Sequence, residues 1–321
     1  MASTVFPRGH WHSEMEALVA RQLSREYTGR GRTVRALDAV DLSIDRGSLF
    51  AFLGRNGAGK TTFIKVAATL LMPTSGSVTL LGRDVVHEAA RVREEIAVVP
   101  QEGRPFFHLT PREHIYEYLR VRGFTAESAQ ARTDELVQAM GLEPFANTIA
   151  QMLSGGLQQR TLVAMILATE APFLFLDEPT LGMDPFARRQ VWQVIRRTVR
   201  HGSTVLLTTH YLDEAEHLSE ELAVIENGRL LYRGTAAALK STLGREIRLE
   251  FGPGLTAKEL EPFGRVYAER AHQVLLTTRS NVRPLTELAL ERGSEVTMGP
   301  VTLEEAFLEL VGRPIEEEDA T

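Results

Sequence analysis

The chain has 321 residues, 43% of them hydrophobic and 24% charged, with a formal net charge of -6. Such values fit one globular domain of ordinary size plus a smaller one, without the strongly basic surface that nucleic acid or an anionic membrane selects. There is no cysteine, which excludes disulfides, thiol catalysis and thiolate metal sites and suits a reducing cytoplasm.

Residues 1–14, MASTVFPRGHWHSE, read as a flexible polar lead-in without the apolar middle of a signal peptide. Leu18–Leu23 and Val40–Ile44 alternate like strands around a Gly- and Arg-rich turn region, Thr28–Thr33. From Leu49 onward, short apolar runs (Leu49–Leu53, Ile96–Val99, Phe173–Leu176, Val205–Thr208) alternate with helical periodicity, the pattern of parallel strands buried on both faces. Pro111 to about Gly141 reads as helical, with Thr110 as N-cap, inside a helical section expected over about 103–170. Asn227-Gly228, between Leu222–Ile225 and Arg229–Tyr232, predicts a hairpin that closes the main domain.

After about Leu243 the texture changes. Strands are predicted at Glu246–Phe251, Val266–Ala268, Gln273–Thr278 and Glu295–Met298, and helices at Thr256–Phe263, Val282–Arg292 and Leu303–Val311. They make a small α+β domain over 244–313, followed by an acidic tail at 314–321. No stretch approaches the roughly 18 apolar residues that span a bilayer, so a membrane role is expected to come through a partner.

Gly54-Arg55-Asn56-Gly57-Ala58-Gly59-Lys60-Thr61-Thr62 fits G-x-x-x-x-G-K-[ST] between an apolar strand and a helical segment. Glycines let successive backbone N–H groups close around phosphates, and the helix N-terminus adds its positive end. Lys60 is then expected on the β- and γ-phosphates, and the Thr61 hydroxyl on Mg²⁺. Phe173–Leu176 runs into Asp177 and Glu178. A carboxylate at that strand end can hold Mg²⁺, and its neighbour can polarise an attacking water. Ser154 can cap a helix behind Gly155 and Gly156, making a second anion-binding helix start. That repetition makes sense if it receives the γ-phosphate bound by another copy of the chain.

Leu153-Ser154-Gly155-Gly156-Leu157-Gln158-Gln159-Arg160 resembles the signature of the ATP-binding cassette (ABC) family, and the other motifs follow in family order over roughly residues 16–240. The resemblance implies a P-loop α/β cassette with a mixed parallel sheet core, an antiparallel β subdomain and a helical subdomain, spanning 15–243. It also implies ATP hydrolysis in a head-to-tail dimer. It places Gly54, Asn56, Gly57, Ala58, Gly59, Lys60, Thr61 and Thr62 on ATP, together with Ser154, Gly155, Gly156 and Gln158 from the signature. Tyr27 is placed to stack on adenine. Gln101 resembles the Q-loop glutamine, near metal and water, and His210 the switch histidine; Leu181–Asp184 resembles the D-loop. Arg55, Met165 and Met183 depart from common family residues without removing a group the chemistry needs. Val301–Leu310 and the run His210–Glu216 resemble exporter ATPases of the ABC type-2 kind, including the daunorubicin resistance family. That likeness implies a separate type-2 transmembrane permease, a peripheral place on the cytoplasmic face of the membrane, and no nucleic-acid partner. An importer ATPase or a non-transport ABC ATPase would share the catalytic motifs.

Overall fold

The computed structural model describes residues 16–29, 32–269 and 272–312. The expected N-terminal segment 1–14 and the acidic tail 314–321 lie outside the described residues. The chain divides into two units, Met1–Arg233 and Gly234–Thr321.

The first unit runs, in order, through β1 (Glu16–Gly29), β2 (Arg32–Asp45), β3 (Leu49–Leu53), α1 (Lys60–Ala67), β4 (Ser75–Leu80), β5 (Arg83–Asp84), α2 (Ala89–Glu95) and β6 (Ile96–Val99). It continues with α3 (Pro111–Val121), α4 (Ala126–Ala139), α5 (Gly155–Leu167), β7 (Phe173–Asp177), α6 (Pro185–Arg200), β8 (Thr204–Thr209), α7 (Leu212–Leu218), β9 (Glu221–Glu226) and β10 (Arg229–Gly234). Two sheets result, one of order β2-β1-β4-β5 and one of order β10-β9-β3-β8-β7-β6. The first pairs antiparallel, and β9, β3, β8, β7 and β6 run parallel.

Every residue of β3, β7 and β8 is buried. Because side chains alternate along a strand, each strand feeds two cores. Phe50, Phe52, Phe173, Phe175 and Leu206 join α1 and the antiparallel sheet, with the Phe52 and Phe63 rings 5.0 Å apart. Leu49, Leu174, Leu176, Val205 and Leu207 pack with α3, α4, α5 and α6 on the other side.

Two sequence boundaries are corrected. β1 and β2 continue past the expected strand ends, with Thr28 opposite Thr33 and Gly29 opposite Arg32, so the broad turn over Thr28–Thr33 is replaced by ladder. The helical stretch 111–141 breaks at Gly123, which at φ +90° leaves the right-handed helix, and Thr125 caps the second helix through Ser128 N. The two units divide at 233/234, so that α8 (Ala236–Ser241) groups with the second.

That second unit continues with β11 (Ile247–Phe251), α9 (Ala257–Leu260), β12 (Arg265–Glu269), β13 (His272–Thr277), α10 (Val282–Glu291), β14 (Val296–Pro300) and α11 (Leu303–Val311). Its antiparallel sheet has the order β12-β13-β11-β14. Leu249, Phe251 and Leu275 pack with Leu260, Leu285 and Ala289. Glu305 on α11 is buried, accepting from Arg248 Nε at 2.7 Å and from the Thr302 backbone N–H at 2.7 Å.

Candidate functional site

β3 ends at Leu53, and the chain turns through Gly54–Gly59 into α1. Two of its glycines are dictated by space. A Cβ on Gly54 would meet Ile225 O at 2.4 Å, and one on Gly59 (φ +114°) would meet Ala36 O at 2.5 Å. Gly57, at φ +77°, faces open space, and Asn56 beside it is exposed. The loop is tied to the β9–β10 turn, where Gly228 N donates to Ala58 O at 2.9 Å. Asn227 and Gly228 both have positive φ, as the hairpin signal requires.

Lys60 opens α1 and is buried, its ammonium donating to the carbonyls of Gly54 and of Arg55, the latter at 3.2 Å. Burial lowers its pKa, and the charges of Glu178 and Asp177 oppose that shift. An ammonium folded onto its own loop is poised to exchange carbonyl oxygens for phosphate oxygens. Thr61 and Thr62, next on the helix, are partly exposed.

β7 carries Asp177 and Glu178 to its carboxyl end, beside β8. Thr208 on β8 serves both acids. Its hydroxyl donates to Asp177 Oδ1, and the Glu178 N–H donates to that hydroxyl at 3.1 Å and to the Thr208 carbonyl at 3.2 Å. Burial raises the Asp177 carboxyl, against hydrogen bonds from Thr208 and Thr61. The Thr61 hydroxyl also lies 3.2 Å from Gln101 Oε1, just past β6. Thr61, Gln101 and Asp177 thus converge with hydroxyl, amide carbonyl and carboxylate oxygens. That donor set suits a hard cation such as Mg²⁺, which keeps several waters and binds few protein ligands.

Glu178 has φ +51°, a left-handed conformation uncommon for a residue with a side chain. Its carboxyl is buried, with Oε2 2.6 Å from His210 Nδ1, which lies just past the end of β8. The structure therefore brings Lys60, Thr61, Gln101, Asp177, Glu178 and His210 together at the carboxyl ends of neighbouring strands.

Ser154 caps α5 through Leu157 N at 3.4 Å, and Gly155 next to it has open space around its Cβ position. A Cβ on Gly156 would lie 2.7 Å from Gly182 O, so this glycine lets the turn after Glu178 close on α5. Gln158 follows on the same helix. Its amide donates inward, to Ala150 O at 2.9 Å and Leu153 O at 3.2 Å, holding the loop in front of the signature. Its neighbour Gln159 instead reaches Glu178 O at 3.3 Å. Tyr27 is 40% exposed on β1, with the Arg25 guanidinium 4.9 Å from its ring centroid. Its ladder partner Val34 stands two residues before Ala36, the residue that abuts Gly59.

Sequence reasoning gave Thr208 no role, and it named Gln159 and Gly182 only as members of the signature and the D-loop, without the contacts they make. Thr208 had a visible signal, a hydroxyl one position from the end of an apolar strand; the other two contacts depend on how α5 meets the loop and leave no local pattern.

The description "ABC transporter" belongs to the family model that residues 37–181 match. The daunorubicin/doxorubicin resistance ATP-binding protein DrrA of Streptomyces peucetius is 36% identical over 315 residues, 94% of each chain. Nod factor export ATP-binding protein I of Burkholderia orbicola is 34% identical over 285 residues, covering 88% of this chain and 93% of that one. Among solved structures, a dimeric post-hydrolysis ATP-binding cassette bound to ADP and Pi superposes with a TM-score of 0.63 at 25% identity, over 68% of this chain and 98% of that one.

Proposed function

This chain belongs to the ABC transporter family of ATPases, and from that premise we propose that it is the ATP-hydrolysing subunit of an exporter, acting beside a separate type-2 transmembrane permease. The observation that carries the catalytic part is the meeting of Lys60, Asp177, Glu178 and His210 at adjoining strand ends. Export is supported by relatives whose names carry drug resistance and Nod factor export over nearly the whole chain. Among the described residues no helix is long and apolar enough to cross a membrane, which agrees with a pathway supplied by the permease. A place on the cytoplasmic face, held by that permease, follows from this reading.

ATP would lie with its phosphates on the N–H groups of Gly54–Thr62, where Lys60 neutralises charge on the β- and γ-phosphates. Tyr27 offers an exposed ring for adenine. Mg²⁺, held by Thr61, Asp177 and Gln101, would supply charge neutralisation at the phosphates. Glu178 accepts the proton of the attacking water, and its short contact with His210 fixes the direction of the carboxylate. His210, held by that contact, would be the residue that faces the γ-phosphate. The exposed Ser154 and Gly155 would receive the γ-phosphate of ATP held by a second copy, arranged head to tail. ATP then favours the closed dimer and its hydrolysis products the open one, the differential affinity needed to drive a partner.

Purified Glu178→Gln should turn over ATP at least about 10²-fold more slowly, the range for loss of a general base, while still binding nucleotide. Ser154→Arg should block hydrolysis and leave nucleotide binding by the single chain intact. Near-normal steady-state hydrolysis by the first variant would overturn the assignment of Glu178, and by the second the two-chain site.

A further inference from the structure

One fully buried acid is left unused by this chemistry. Glu214 lies on α7, four residues after His210, with no measurable exposure. Its Oε1 accepts from Thr180 Oγ1 at 3.0 Å and from Trp192 Nε1 at 2.7 Å. The Thr209 side chain also leans on this carboxyl, while Oε2 has no partner within hydrogen-bond distance.

The two donors and the neighbouring Thr209 come from different elements. Thr180 is two residues after Glu178, in a turn closed by Leu181 N on Glu178 O (3.3 Å) and Met183 N on Thr180 O (3.1 Å). Trp192 belongs to α6 and stacks on His217 of α7, with centroids 5.8 Å apart. Thr209 ends β8, immediately before His210. A carboxyl removed from water is unfavourable, and a hydrophobic side chain of similar volume would pack α7 without that cost. What the acid supplies is a fixed point shared by the loop behind Glu178, the switch segment and α6.

We propose that Glu214 is a positioning residue for ATP hydrolysis, setting the turn after Glu178 against the helix after His210 through its Oε1. The inference rests on the roles given above to Glu178 and His210. Upstream of Glu178 the register is held by Thr208; downstream, the Thr180–Glu214 hydrogen bond joins the turn to α7. Without it, the 2.6 Å Glu178–His210 contact loses its outer support. Nucleotide is held elsewhere, on the Gly54–Thr62 loop, so the loss should appear in kcat and spare KM.

The test compares steady-state kcat, KM for ATP and Tm of the purified full chain with those of Thr180→Val, Glu214→Leu, Glu214→Gln and Glu178→Gln. A misplacement of about 1 Å at reacting groups can cost about 10²-fold, so Thr180→Val and Glu214→Leu should lose about tenfold or more in kcat with KM within about twofold. Glu214→Gln keeps an acceptor for Thr180 and Trp192 and should restore at least about half of kcat, since hydrogen bonding and not charge is the requirement. If Glu214→Leu fails to fold, Thr180→Val, nearly isosteric, decides alone. An inactive Glu178→Gln beside a Thr180→Val with unchanged kcat overturns the positioning role, as does a loss that only follows the folded fraction. A Glu178→Gln that keeps its turnover instead overturns the hydrolytic reading on which the proposal rests.

Discussion

Gly155 and Gly156 open the same helix with the same absent side chain and meet different surroundings. A Cβ on Gly156 collides with the backbone oxygen of Gly182, whereas a Cβ on Gly155 meets nothing within 4 Å. Within the single chain, Gly155→Ala should therefore do no harm. Alanine in a helix is favoured over glycine by about 0.5–1 kcal/mol, and for a unit of this size 1 kcal/mol moves Tm by roughly 2–4 °C. A Tm raised by about 1–4 °C is expected. Hydrolysis should respond oppositely if this surface closes on ATP held by a second copy. A methyl forced into a packed interface costs about 1–3 kcal/mol, which is roughly 5- to 150-fold in rate. Scanning calorimetry, equilibrium nucleotide binding and steady-state ATPase measurements separate the effects. Stability and binding should hold or rise while turnover falls. A Gly155→Ala chain that hydrolyses ATP at the wild-type rate would refute the two-chain site, because nothing within one chain can excuse the result.

Gly59→Ala should weaken nucleotide binding about tenfold or more, since a side chain at φ +114° is disfavoured by about 1–2 kcal/mol and its Cβ would also strike Ala36 O. An unchanged Kd for ATP would show that the loop is less constrained than its contacts suggest. Burial raises the Glu214 carboxyl, so the folded chain keeps this proton where the unfolded chain has released it. Its contribution is full below the unfolded pKa and lost as pH rises through the folded one. Urea denaturation from about pH 4 to 7 should thus show wild-type stability falling relative to Glu214→Gln as pH rises. A pH-independent difference between the two would contradict it.

The motifs were legible because each couples a residue pattern to a backbone event. The phosphate loop needs glycines where carbonyls of Ile225 and Ala36 approach, and the glycines stand in the sequence. The parallel strands show as apolar runs because both of their faces are buried. From Glu246 onward, even the second unit's strands and longer helices were placed nearly to the residue by periodicity and turn residues. What stayed hidden was tertiary. Gln158 and Gln159 are chemically identical neighbours, and only the rotation of α5 decides that one braces the loop before the helix while the other reaches Glu178. Glu214 reads as one acid in an acidic run, Asp213-Glu214-Ala215-Glu216, until packing removes it from water. The division at 233/234 leaves no local pattern either, since composition does not change at α8.

The strand order β3-β8-β7 has a mechanical consequence. Glu178 and His210 directly follow the ends of β7 and β8, and the loop to Lys60 leaves from the end of β3, three laterally bonded strands whose separation is fixed by backbone hydrogen bonds at about 4.8 Å per step. The working distances are thus gauged by the main chain and not by side-chain volume. Sequence drift on either face can proceed without altering them. β8 is the exception, because it is the middle rung: Thr208 touches both acids and the next two residues lead to His210. An error in that one strand would shift the spacings among these groups at once, while the same error in β9 would reach them only second-hand.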